Sequence, residues 1–157
     1  MLTLCIGLVL WMDAHYFKRL LPSVRQKMSE AMGAGAARGV MALILVISVI
    51  LMIVGYRNAP IEPVYSPIAG MGHLNNLLMM IAVLLMGMGS SKGRMRTWFR
   101  HPMLMGVIVW GVAHLLVNGD LASIILFGGM ILWALGQMLL INKHDGKWDR
   151  PEAGPVA

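Results

Sequence analysis

The chain has 157 residues, of which 58% are hydrophobic and only 13% are charged, with a formal net charge of +6. A soluble domain usually has about 25% charged residues, so this composition excludes an ordinary soluble protein and predicts one integral membrane domain. The only cysteine, Cys5, excludes an internal disulfide and any cysteine-based zinc site.

The first 38 residues predict one membrane helix and one surface segment. Residues 1–21 begin with the apolar run LTLCIGLVLWM, and their positive charges follow that run. A signal peptide has the opposite order, so we predict a retained first span. His15 lies four residues after Trp11 and therefore on the same helix face. Residues 22–38 are polar and predict an amphipathic surface helix or an ordered loop.

The middle of the chain predicts two further spans. Residues 39–56 are uncharged and form the second span, while residues 73–91 form the third. His73 stands at the start of the third span. The intervening loop, residues 57–72, contains three prolines, and we expect it to fold back over the helix ends. Residues 92–100 are basic with two aromatics, which predicts an interfacial segment attracted to anionic lipid; base-stacking clusters are missing, so no nucleic-acid partner is expected.

The last two spans flank a short polar turn. The fourth runs from about His101 to Val117 and the fifth from about Leu121 to Asn142. Between Arg100 and Asp120 lie nineteen uncharged residues, about 28 Å of helix and thus about the thickness of a bilayer core. Asp120 is best placed to cap the fifth helix, where a carboxylate meets unpaired N–H groups.

The distribution of Lys and Arg predicts the topology. The four connections and the tail contain five, one, four, zero and three of them in chain order. By the positive-inside rule, this alternation places the N-terminus outside and the C-terminus in the cytoplasm. The predicted fold class is therefore an all-α bundle of about five transmembrane helices. Residues 1–145 form the membrane domain, and residues 146–157 are expected to be a disordered cytoplasmic tail.

His114 is the residue that most suggests chemistry. An ionisable side chain at membrane depth is a functional hypothesis, although a neutral imidazole can also simply bond a neighbouring helix. Gly111 lies on roughly the same face, and Gly128 and Gly129 lie at a similar depth on the fifth span. Such small residues indicate either close helix packing or room for a flat cofactor. A haem held between histidines of two helices would fit such a bundle, and it would be non-covalent because Cys5 stands alone.

The chain resembles the NnrU family of bacterial inner-membrane proteins in the string RHPMLMGVIVWGVAHLLVNGDLASIILFGG. The upstream pattern agrees, with DAHYFKRL in the first span, ARGVMAL at the start of the second, and GY followed by APIEPV. The resemblance covers about residues 5–142. It implies a multi-pass protein of the bacterial inner membrane that is associated with denitrification and nitric oxide metabolism.

NnrU proteins are in turn similar to zeta-carotene isomerases, membrane enzymes that use a non-covalent haem b. That similarity implies His15 and His114 as the metal ligands of a haem b. Gly111 stands where the isomerases have a cysteine as an alternative ligand, which argues against ligand exchange here. The estimated depth of His15 is nearer the cytoplasmic side than that of His114, so His73 is kept as an alternative cofactor-binding partner.

A second resemblance, of RHPxxxG to integral membrane methyltransferases, is opposed by Leu104, which stands where those enzymes have a tyrosine. The leading hypothesis is therefore an NnrU protein that binds haem b for redox chemistry or sensing. The alternatives are a haem-free assembly or accessory factor and an isomerase of a polyene lipid. The expected partners are the lipid bilayer and a membrane redox or assembly protein. The sequence leaves the enzymatic activity and the oligomeric state open.

Overall fold

In the computed structural model, which describes residues 1–91 and 93–154, the regular structure is helical. The first three helices are α1 (Leu2–Leu20), α2 (Pro22–Met32) and α3 (Ala34–Arg57). The others are α4 (Met71–Ser90), a 3-10 turn (Arg94–Thr97), α5 (Pro102–Val117) and α6 (Leu121–Asp145). Lys92 of the predicted interfacial segment and residues 155–157 of the predicted tail lie outside the described residues.

Three of these helices are long and apolar enough to cross a membrane: α3, α4 and α6. The apolar helix α5 has 16 residues, or about 24 Å, and is shorter than a bilayer core of about 30 Å. Helix α1 has 19 residues, and Asp13 and two basic residues lie in its second half. The all-helical membrane class is thus confirmed, while the count of five spans and the orientation of the termini stay predictions.

The helix boundaries differ from the prediction mainly at α3, which begins at Ala34 instead of residue 39. Its first turns have the sequence AGAAR, and alanine is the strongest helix former, so the helix extends upstream of the apolar run. The break before α3 is Gly33, whose φ of 85° ends α2. Residues 22–32 form the helix that was one of the two predicted alternatives, and none of them is buried.

The chain divides into two compact units, Met1–Glu62 and Pro63–Ala157. In the first unit α1 packs along α3, and Gly7 permits this approach. A Cβ atom on Gly7 would lie 2.7 Å from the backbone nitrogen of Met52 and 2.9 Å from the carbonyl oxygen of Ser48. Small residues commonly allow membrane helices to pack backbone to backbone in this way.

In the second unit α4 packs along α5, and α5 also packs against α6. Gly106 of α5 allows the first contact, because a Cβ atom there would lie 2.9 Å from the carbonyl oxygen of Ala82. The centre of this unit is therefore α5, the helix that contains His114. Contacts of α5 with both neighbours determine what surrounds that imidazole.

Candidate functional site around His114

His114 lies in the last turn of α5 and forms a three-ring cluster with two aromatic residues. The Trp110 ring lies one helical turn earlier and meets the imidazole edge to face, with ring centroids 5.1 Å apart. The Phe127 ring of α6 lies 4.4 Å from the imidazole centroid and 5.0 Å from that of Trp110. These contacts fix the imidazole by packing on two sides.

Phe127 reaches His114 from a distorted segment of α6. Residues Ile124–Gly128 form a π-helical turn, in which the hydrogen bonds span five residues instead of four. Phe127 is buried within this turn. Sequence reasoning missed Phe127, because a π turn depends on tertiary packing. The contact of Trp110 with His114 had a signal in the sequence, namely their spacing of four residues.

The imidazole of His114 makes no hydrogen bond to any residue in the described ranges 1–91 and 93–154. The ring is half-buried, and its two neighbours are aromatic. Apart from the bonds within the helix, the hydrogen bonds at this residue are those of its carbonyl oxygen, which accepts from the backbone N–H and from Nδ2 of Asn118, both at 2.9 Å. The alternative that His114 only forms a hydrogen bond to a neighbouring helix therefore finds no partner among the described residues.

Asp120 caps α6, as the sequence predicted. Its Oδ1 accepts from the backbone N–H of Ser123 at 3.0 Å, and its Oδ2 accepts from the Ser123 hydroxyl at 2.6 Å. The Ser123 hydroxyl is the main reason that the pKa of Asp120 lies below its ordinary value, although partial burial opposes this shift. The carboxylate therefore stays ionised and has a structural role at the helix start.

The predicted fold-back of the proline-rich loop is confirmed for residues 63–65, which bind the turn between α5 and α6. The backbone N–H groups of Val64 and Tyr65 donate to the Gly119 carbonyl oxygen at 2.8 and 3.0 Å. The Tyr65 hydroxyl donates to the carbonyl oxygens of Leu115 and Asn118. These carbonyls belong to the end of α5, where no intrahelical partner is available. The loop thus holds the helix end that positions His114.

Neighbouring atoms fill the space beside Gly111, which decides between its two predicted roles, close helix packing and room for a flat cofactor. A Cβ atom on Gly111 would lie 2.7 Å from Cγ1 of Ile131 and 3.1 Å from the carbonyl oxygen of Phe127. Gly128 does not face it, since a Cβ atom there would have nothing within 4 Å. Gly111 therefore serves close packing of α5 on α6, and the space beside it is too small for a flat cofactor.

The other two candidate histidines, His15 and His73, have different local surroundings: His15 contacts Trp11, and His73 is exposed. The Nδ1–H of His15 donates to the Trp11 carbonyl oxygen at 2.9 Å, and the two rings lie 4.3 Å apart, so the predicted shared face is confirmed. This bond places the lone pair on Nε2, the arrangement common in metal-binding histidines. His73 is exposed in the first turn of α4 and makes no hydrogen bond or ring contact with the described residues.

Within the second unit, His73 and His114 are not brought together, since His73 is no part of the aromatic cluster around His114. The remaining candidate, His15, belongs to the first unit. Among the described residues, no group of three or more His, Cys, Asp or Glu side chains is arranged to hold a metal ion. This result concerns multi-ligand metal sites and does not address a haem held by two histidines.

The fold and the site define an all-helical membrane protein in which a half-buried histidine near the end of a short apolar helix packs against two aromatic rings. The chain belongs to the NnrU family, because the family model described as NnrU protein matches residues 3–156. The family resemblance seen in the sequence is thereby confirmed. No curated protein matches the chain, and no solved structure matches it.

Proposed function

We propose that this NnrU protein is a haem b protein of the bacterial inner membrane whose redox chemistry or sensing is linked to denitrification and nitric oxide metabolism. The proposal includes five membrane spans, with the N-terminus outside and the C-terminus in the cytoplasm. His114 is one ligand of the haem iron, and His15 or His73 is the other. The observation that supports the proposal best is the imidazole of His114, which has no hydrogen-bond partner among the described residues.

The donor set fits a haem, whereas the space beside Gly111 does not. An imidazole nitrogen commonly binds haem iron, and the imidazoles of His114 and His15 each pack against an aromatic ring. The contact of Gly111 with Ile131 leaves no slot between α5 and α6 at that level, so the residues present fit the iron-binding role better than they fit the haem plane. When bound, haem supplies reversible one-electron chemistry and an iron that binds diatomic gases.

The residues around His114 have definable tasks in this proposal. Trp110 and Phe127 pack against the imidazole and fix the orientation of its plane. The Tyr65 hydroxyl and Asn118 satisfy the carbonyls at the end of α5, which keeps the last turn intact. For His15, the bond from Nδ1 to the Trp11 carbonyl oxygen orients Nε2 as the ligand atom.

The haem-free accessory factor is the second candidate, and one observation favours it. Gly111 fits its neighbours closely, and the rings of Trp110 and Phe127 pack against His114, as in an ordinary helix interface. In that case the partner would be a membrane redox or assembly protein. A structural histidine would affect helix association by about 1 kcal/mol and would have no spectroscopic signature.

Absorption spectroscopy of the protein purified in mild detergent distinguishes the two candidates. A haem protein gives a Soret band that shifts on reduction and again when nitric oxide is added to the reduced protein. Replacing His15 or His73 by Ala then identifies the second ligand, because only the true ligand changes the coordination and the spectrum. A protein that stays colourless after haem is supplied would rule out the haem proposal and leave the accessory factor.

A further inference from the structure

A cavity of about 420 Å³ lies in the second unit where α5 begins and α6 ends. Its walls come from the end of α4, the segment before α5, the first turn of α5, the last part of α6 and the residues that follow α6. His114 is not among its lining residues, since it lies at the opposite end of α5. The cavity is therefore a separate site, and it does not depend on the proposed function.

The segment after α6 forms one wall of the cavity instead of leaving the protein. Gly146 adopts a φ of 64° at the end of α6, which turns the chain back. Nη1 of Arg100 donates to the Gly146 carbonyl oxygen at 2.7 Å and fastens the turn. Trp148 and Asp149 then line the cavity. The bond from Arg100 to Gly146 holds the Arg100 guanidinium at the cavity wall.

The charges around the cavity favour an anion. Arg96 and Arg100 both line it, and Asp149 is the one carboxylate among its lining residues. The guanidinium of Arg150 lies 5.3 Å from the Trp148 ring centroid and adds a further positive charge nearby. The first N–H groups of α5 also face this end, and His101 gives them no side-chain cap. Guanidinium groups match phosphate oxygens with two parallel hydrogen bonds.

Apart from His101 and the charged residues, the wall is apolar. Phe99, Leu104 and Ile141 line the cavity together with Trp148. A small hydrophilic anion would leave these side chains against water, whereas an acyl chain beside a phosphate would cover them. The combination of aromatic and basic side chains is the usual composition of a membrane-interface anchor.

We propose that this cavity binds the phosphate headgroup of an anionic phospholipid, with Arg96 and Arg100 on the phosphate and the first part of an acyl chain against Leu104 and Ile141. Residues 92–100 alone would attract anionic lipid only diffusely. The cavity, in contrast, is a defined site with an apolar wall that an acyl chain can cover. It predicts binding with a defined stoichiometry and a dependence on Arg96.

Arg94 and Arg96 provide a matched pair for the test. Both are exposed and belong to the same 3-10 turn, but only Arg96 lines the cavity. The full-length protein in a neutral detergent is titrated with short-chain phosphatidylglycerol, short-chain phosphatidylcholine and inorganic phosphate, and binding is followed by native mass spectrometry. We expect phosphatidylglycerol to bind, and Arg96→Gln to weaken it by about tenfold, while Arg94→Gln leaves it unchanged.

Three outcomes would overturn the proposal. Phosphatidylcholine carries a choline cation beside its phosphate, so equal binding of phosphatidylcholine and phosphatidylglycerol would show that the net negative charge of the lipid is not recognised. Equal effects of Arg96→Gln and Arg94→Gln would show that the cavity is not the binding site. Binding of inorganic phosphate at the affinity of phosphatidylglycerol would assign the site to free phosphate and remove the lipid. Arg96→Lys, which keeps the charge and loses the planar fork, should fall between wild type and Arg96→Gln.

Discussion

The imidazole of His114 and the ring of Phe127 lie with their centroids 4.4 Å apart, at an angle of 39°. This contact joins the last turn of α5 to the π turn of α6, two segments separated by the Asn118-Gly119-Asp120 turn. The position of the imidazole therefore depends on how tightly that turn and its loop are held.

Gly119→Ala should destabilise the protein, because a Cβ atom there would press directly on the Tyr65 carbonyl oxygen. Backbone atoms cannot move aside cheaply, so we expect a loss of about 1–3 kcal/mol. Gly128→Ala is the matched control, since a Cβ atom at that position has nothing within 4 Å. Thermal unfolding in detergent compares the two, and equal melting temperatures would contradict the close contact of the loop with the turn.

Gly111→Ala should also destabilise the protein through its contact with Ile131. The added methyl would lie 2.7 Å from Cγ1 of Ile131, so the double variant with Ile131→Ala should recover part of the loss. Recovery would remain partial because the Phe127 carbonyl oxygen, at 3.1 Å, also opposes the methyl. A stability of Gly111→Ala equal to wild type would mean that a slot does exist between α5 and α6.

Tyr65→Phe should loosen the loop over the turn. The change removes one hydroxyl that donates to the Leu115 and Asn118 carbonyl oxygens, and a net loss of about 0.5–1.5 kcal/mol is typical of such a bond. The Tyr65 side chain is exposed, so the lower half of this range applies. Faster proteolysis within residues 57–70 provides the measurement. An unchanged cleavage rate would indicate that the two backbone bonds to Gly119 are sufficient.

The cap on α6 should make stability depend on acid pH. The pKa of Asp120 lies below its ordinary value of 3.8 because the Ser123 hydroxyl and nearby backbone N–H groups bind the carboxylate. The unfolded carboxyl keeps the ordinary value, so this stabilisation is complete above about pH 4 and is lost as pH falls through the folded-state pKa. In Asp120→Asn the amide cannot titrate, so its melting temperature should approach that of wild type towards about pH 3. A difference that stays constant from about pH 6 to about pH 3 would show that the cap does not depend on ionisation.

The sequence predicted the helices well because long apolar runs at membrane length have few alternatives. The runs that became α3, α4 and α6 are of this kind, and the Asp120 cap followed from its place before an apolar helix. The surroundings of His114 were harder to predict. The π turn that brings in Phe127 and the bonds of Tyr65 to residues 50 and 53 positions away depend on packing between distant segments. The filled space beside Gly111 depends on which side chain faces it, and a stripe of small residues is compatible with either outcome.

The tail illustrates the same limit. A polar, proline-containing end predicts a disordered tail over residues 146–157, and this stays a prediction. The chain turns at Gly146, and Trp148, Asp149 and Pro151 line a cavity, which the composition does not indicate. The bond from Arg100 to the Gly146 carbonyl oxygen joins residues 46 positions apart, and local composition gives no sign of it.

Haem titration of the His114→Ala protein tests the central claim most directly. The purified wild type, His114→Ala and His144→Ala are each titrated with haem, and the Soret absorbance gives the affinity and the stoichiometry. His144 is an exposed histidine at the end of α6 and serves as the control. We predict one haem per chain in wild type and His144→Ala, and loss of the ligand-dependent Soret band in folded His114→Ala. Equal spectra and affinities in all three would contradict the assignment of His114 as a haem ligand.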